Sequence, residues 1–138
     1  MCRIFIGADP ALYRAQTRSL RLHRVSTSIR LEAMFWQVLE EIGARDGMTV
    51  NQLIAKLYDE LAETGADLSN FASFLRVCCT RYLGLTASGH IPSDLSVPIR
   101  DLDADFVLAG ERTRAERPAG ELAGTRGVSA AGALSGQH

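Results

Sequence analysis

The stretch 18–31 constrains this chain most, because it alternates apolar and polar residues with period two and then changes phase. Leu20 and Leu22 alternate with Ser19, Arg21 and His23; Val25, Thr27, Ile29 and Leu31 alternate with Arg24, Ser26, Ser28 and Arg30. Such alternation puts an apolar row on one face of a β-strand and a polar row on the other. The apolar positions are even-numbered before His23-Arg24 and odd-numbered after it, which calls for a turn or a bulge there. Neither residue is glycine, so a tight primed hairpin turn is not expected. A strand over 26–31 leaves backbone groups unpaired along its edges and must find a partner. Two partners are open: residues 19–22 of the same chain, or the same strand of a second copy, antiparallel about a two-fold axis.

After residue 31 the period changes from two to that of a helix. Leu31, Phe35, Val38, Leu39 and Ile42 form one apolar stripe, which predicts a helix over 32–46 that Gly47 ends. Thr49 and Gln52 have the spacing of a capping box. The second helix it opens carries Val50, Leu53, Ile54, Leu57 and Leu61 on its apolar face and ends at Gly65. A third helix is predicted over 70–83, capped by Ser69 or Asn70, with Phe71, Phe74, Leu75, Cys78 and Tyr82 on one face. Trp36 and Tyr58 read as core or interface residues. In residues 1–17, Ile4-Phe5-Ile6 suggests a short strand and Asp9-Pro10 a helical turn. One strand backed by two short helices buries little surface alone, so intertwined dimerisation is the natural remedy.

The net charge of −1 conceals an uneven distribution. Residues 1–31 hold six arginines against Asp9, a net of +5, whereas residues 32–83 hold four basic and eight acidic groups, a net of −4. A basic N-terminal third on a neutral protein suggests a polyanion-binding face. Lys56 is the sole lysine, and arginine suits bidentate contact with phosphate or guanine better than lysine does.

Thr27-Ser28-Ile29-Arg30-Leu31-Glu32, then Phe35-Trp36, Gly47-Met48-Thr49 and Leu53-Ile54, resemble the ribbon-helix-helix family. That family includes the Arc and methionine repressors, which read DNA with strands. The spacing is similar over residues 26–63. The fuller run from Arg18-Ser19-Leu20-Arg21-Leu22 to Arg81-Tyr82-Leu83, with the opening Met1-Cys2-Arg3-Ile4-Phe5, is similar to a bacterial subgroup of ribbon-helix-helix domain proteins. The resemblance covers about residues 1–83 and not the rest. In that subgroup a glycine is expected near Arg24, and this chain lacks it.

The resemblance implies a mainly α fold with a short N-terminal β-ribbon, forming an intertwined homodimer. In the family, two strands from two subunits lie in the major groove of double-stranded DNA. Ser26, Ser28 and Arg30 would face the bases, with Arg30 bidentate to guanine. Ile29, Leu31, Phe35, Leu39, Ile42, Leu53, Ile54 and Leu57 would form the dimer core. Backbone N–H groups of Thr49, Val50 and Asn51 would hold a phosphate, and Arg18, Arg21 and Arg24 would add phosphate contacts unless an extra strand pairing turns some away. The third helix is expected in the core, with pairing of dimers into tetramers on DNA as the other option.

Residues 1–17 thus read as an N-terminal extension and 18–83 as the domain. Residues 84–138 are rich in Gly, Ala, Ser, Pro, Arg and Asp, nearly low-complexity over 127–138, and read as a flexible tail. Ile99 and Phe106-Val107-Leu108 are its notable apolar points. No apolar run approaches a membrane span, the start is too short for a signal peptide, and three cysteines without CxxC spacing point to a reducing cytoplasm. Cys2 could become an N-terminal nucleophile, but the chain lacks room for the layered fold of such enzymes, so a buried small hydrophobe is expected. Asp101, Asp103 and Asp105 lack the glycine and glutamate of a calcium loop. No enzyme, metal or cofactor is expected. The leading expectation is a sequence-specific transcriptional regulator, repressor or activator, with its own promoter as one candidate target. The alternatives are an antitoxin whose tail binds a toxin, and an association module without DNA binding.

Overall fold

The computed structural model describes residues 2–115, which fall in two units dividing after Leu102. In the first unit, α1 (Cys2–Ile6) and α2 (Pro10–Tyr13) precede a hairpin. The short strand expected at Ile4-Phe5-Ile6 is therefore helical, with those side chains exposed. Cys2 is also exposed, not buried. The expected turn at Asp9-Pro10 is present: the Asp9 carboxylate accepts the Ala11 N–H at 3.0 Å and opens α2.

Strand β1 (Ala15–Leu22) pairs antiparallel with β2 (Val25–Glu32), from Ala15 opposite Glu32 to Leu22 opposite Val25. The change of apolar phase is thus a turn within one chain. Against expectation the turn is tight, consisting only of His23 and Arg24, both left-handed at φ 51° and 67°. Only a primed turn follows the right-handed twist of two directly joined strands. The ladder and the contacts of His23 with Asp59 and Tyr58 offset a steric cost of about 1–2 kcal/mol per left-handed residue. Arg24→Gly is expected to relieve part of that cost and raise stability by about 0.5–1 kcal/mol. Thermal denaturation checks this; an unchanged or lower midpoint would mean that Arg24 carries no strain.

Leu20 and Leu22 from β1, and Ile29 and Leu31 from β2, are buried on the hairpin's inner face. Against that face pack α3 (Ala33–Arg45), α4 (Val50–Glu63) and α5 (Phe71–Ala87). Trp36, Val38 and Leu39 are buried from α3, whereas Phe35 and Ile42 of the predicted stripe are half-buried. Helix α3 stops where Gly47 turns left-handed, φ 68°, so that Met48 N–H reaches the Gly43 carbonyl at 2.8 Å. Gly43 is required there because a Cβ would lie 2.9 Å from the Met48 carbonyl oxygen. The predicted capping box then opens α4, which buries Leu53 and Ile54.

Helix α5 buries Phe71, Leu75, Cys79, Tyr82 and Leu85 within the same chain. It therefore belongs to the core of a single copy. Cys79, not Cys78, is the fully buried cysteine of the pair. Desolvation pushes the Cys79 thiol up to about 12, which keeps it protonated and unreactive.

The expected break at Gly84 is also corrected. Helix α5 continues to Ala87, Ile91 is buried, and residues 88–102 are tied back onto α3 through hydrogen bonds from Arg45 to the Asp94 and Val97 carbonyls. The second unit contains α6 (Ala104–Ala115), which includes Phe106-Val107-Leu108 and opens with Asp103 accepting N–H bonds from Asp105 and Phe106. The low-complexity stretch 127–138 lies outside the described residues.

Candidate nucleic-acid interface

The site follows from the phase of the hairpin. In an antiparallel ladder, directly opposed residues share a face. Thr17 opposes Arg30, Ser19 opposes Ser28, and Arg21 opposes Ser26. All six are exposed, opposite the face that buries Leu20, Leu22, Ile29 and Leu31. The outer face is therefore hydroxyls and guanidiniums, without a carboxylate among these six positions. Arg24 adds a further exposed cation at the hairpin tip.

The structure thus brings Ser26, Ser28, Arg30 and Arg21 together on one face. It turns Arg18 the other way. Arg18 opposes Ile29 in the ladder, stacks 4.5 Å from the Trp36 ring centroid and meets Glu40 at 3.2 Å. Thr17 and Ser19 were not singled out from the sequence. The signal for them was available: Thr17, Ser19 and Arg21 are odd-numbered, the phase opposite to Leu20 and Leu22.

The second strand also has an open edge. A two-residue turn makes Leu22 and Val25 a hydrogen-bonded pair, so Val25, Thr27, Ile29 and Leu31 direct their backbone groups toward β1. The bond from Ala33 N–H to the Arg14 carbonyl, 2.9 Å, keeps the same phase. Ser26, Ser28 and Arg30 consequently point their N–H and C=O groups away from β1. At one end Arg76 of α5 approaches this edge, donating to the Arg30 carbonyl at 3.4 Å and to both Glu32 oxygens at 3.1 and 3.0 Å. These bonds hold the Glu32 carboxyl below the usual range and fix the junction between β2 and α3.

At the start of α4 the three expected phosphate donors are not equivalent. Thr49 N–H is already taken by Gln52 Oε1 at 2.9 Å, and Gln52 N–H by Thr49 Oγ1 at 3.2 Å. The first-turn N–H groups of Val50 and Asn51 remain for an external acceptor. Of the residues expected in a dimer core, Ile29, Leu31, Leu39, Leu53 and Ile54 are buried inside one copy. Phe35, Ile42 and Leu57 stay half-buried.

The family model described as "Ribbon-helix-helix domain" matches residues 15–83, half of the chain. No curated protein matches. Among solved structures, an uncharacterized protein from Bordetella pertussis Tohama I is 57% identical, with a TM-score of 0.76 over 87% of this chain and 91% of that one.

Proposed function

The chain belongs to the ribbon-helix-helix family, and on that premise we propose that it is a sequence-specific, DNA-binding transcriptional regulator working as a homodimer. Proteins of this family generally bind DNA and form dimers. The observation that carries the reading is the outer face of the hairpin, whose exposed side chains are donors and cations backed by a buried apolar row. No described helix is long and apolar enough to cross a membrane.

In this reading the open edge of β2 pairs with β2 of a second copy, and Phe35, Ile42 and Leu57 supply apolar surface between the copies. Ser26, Ser28 and Arg30 from both copies enter the major groove. Arg30 reads guanine through O6 and N7, and the serine hydroxyls accept or donate to several bases. Val50 and Asn51 N–H groups, with Arg21 and Arg24, hold phosphates. Arg18 is left out of the contact set because Glu40 and Trp36 engage it on the inner face.

Selection of bound sequences from a random DNA library tests this directly, since it reports binding, motif and half-site spacing together. Arg30→Ala is expected to cost about 1–3 kcal/mol per contact and to relax the preference at one base pair of each half-site. An unaltered affinity and motif, with circular dichroism unchanged, would remove Arg30 from the reading set.

A further inference from the structure

We infer that Arg76 of α5 is a positioning residue for DNA reading: by holding the Glu32 carboxylate in a two-pronged ion pair, it keeps that carboxylate off the Arg30 guanidinium and leaves Arg30 free for guanine. The inference rests on the DNA-binding reading above, and adds to it a residue that touches neither base nor phosphate.

The phase of β2 creates the need. Ser26, Ser28, Arg30 and Glu32 share one parity, so they form one row along the outer face of the strand. Residues two apart on a strand are separated by about 6.7 Å, within reach of an arginine and a glutamate side chain. A row of hydroxyls and a guanidinium therefore ends in an acid. A free carboxylate there acts against DNA in two ways. It competes with guanine for Arg30, because a carboxylate and the O6/N7 edge both offer two acceptors to the arginine fork. It also sets a negative charge beside the phosphates.

Helix α5 removes that carboxylate from the row. Arg76 Nε donates to Glu32 Oε2 at 3.0 Å and Nη2 donates to Oε1 at 3.1 Å. The pair is about one-third exposed, 35% for Arg76 and 30% for Glu32, so solvent and salt screen it less than a pair on open surface. Glu32 is not engaged elsewhere: it stands at the N-cap of α3, yet its side chain accepts no capping bond. The bonds from Arg76 do most to hold the Glu32 carboxyl below its usual range, and the nearby Arg30 cation lowers it further. Glu32 is thus charged at neutral pH and feels both arginines, but pairs with Arg76 alone. Among the described residues Arg30 makes no ion pair. Arg76 Nη2 also reaches the Arg30 carbonyl at 3.4 Å, so one guanidinium engages both the acid and the backbone of the reading residue.

A charge-paired rescue tests this. Arg76→Ala is expected to weaken binding to the selected sequence about tenfold or more and to relax the preference at the base pair that Arg30 reads, as Arg30→Ala does. Adding Glu32→Gln to Arg76→Ala is expected to recover most of the affinity and the motif, since no carboxylate is then left to capture Arg30. Glu32→Gln alone should leave the motif as it is. A role confined to joining β2 to α3 predicts the reverse, with the double variant no better than Arg76→Ala. A direct phosphate contact by Arg76 predicts no rescue either. Failure of the rescue, or loss of the motif in Glu32→Gln, overturns the proposal. If the alanine variant unfolds, Arg76→Gln carries the same comparison.

A second measurement needs no DNA. Phenylglyoxal modifies free guanidiniums, and mass spectrometry reads the rate at Arg30. The rate is expected to fall severalfold in Arg76→Ala and to return in the double variant; an unchanged rate in Arg76→Ala overturns the proposal. If the unaltered protein retains no DNA at low salt, the regulator reading fails, while the modification rates still decide whether Arg76 keeps Glu32 from Arg30.

Discussion

Arg45→Ala is expected to destabilise the domain by about 3–5 kcal/mol, the range for removing one member of a buried charged network. Arg45 is only 6% exposed. Its Nε donates to the Val97 carbonyl at 3.0 Å, Nη2 to the Asp94 carbonyl at 3.1 Å, and Nη1 to the Tyr82 hydroxyl at 3.2 Å. That hydroxyl in turn donates to Glu41 at 2.6 Å. Burial and the bond to Glu41 push the Tyr82 phenol up, so it stays protonated as the link. Truncation would strip three acceptors of their donor and leave Glu41 without its nearby cation. Lysine would keep the charge but lose the fork that reaches three acceptors at once, so Arg45→Lys should recover only part of the loss. Denaturant melts at one protein concentration measure both variants, and limited proteolysis reports whether residues 88–102 come free. A loss under about 1 kcal/mol with that segment still protected would show that other contacts hold it.

Trp36→Ala is expected to cost a similar 3–5 kcal/mol, because it removes a large side chain from a packed centre. Trp36 is 1% exposed, and its Nε1–H donates to the Gln16 carbonyl at 3.0 Å. Arg18 stacks on the ring from the inner side of β1. The residue therefore joins α3 to the first strand as well as filling the core. Trp36→Phe should cost much less, about 1 kcal/mol beyond its smaller volume, since it keeps an aromatic ring and loses the hydrogen bond. Equal melts for the alanine and phenylalanine variants would mean that the hydrogen bond, not the packing, dominates. Proper attachment of β1 also matters for DNA binding, so the alanine variant should bind more weakly in proportion to how far β1 is displaced.

The core and the site differ in how legible they were. Side-chain direction along a strand repeats every two residues, so the outward placement of Ser26, Ser28 and Arg30 follows from Ile29 and Leu31 being apolar. The capping box at Thr49 and the stop at Gly47 are equally local, since each depends on residues within one helical turn. Arg18 is the arginine that the β1 pairing turns away: its charge suits phosphate, but its phase in β1 puts it with the inner row. Trp36 and Cys79 lie next to the positions that helical spacing favoured, Phe35 and Cys78. A helix packed on two sides buries a broader arc than a single stripe, and only its neighbours decide where that arc is centred.

The hairpin shows where the two kinds of information separate. By itself the sequence determined that two amphipathic strands flank His23-Arg24 and that their polar residues form one face. It could not decide whether β2 pairs within the chain or with a second copy, since both pairings satisfy the same alternation. The tertiary structure decided for β1, through eight opposed pairs of residues and a turn that accepts two left-handed non-glycine residues. It also decided that residues 88–102 join the core, through Arg45 and carbonyls about fifty positions away along the chain. Backbone carbonyls carry no side-chain signature, so no pattern of residue types announces such a partner; only the folded path brings it within hydrogen-bond reach.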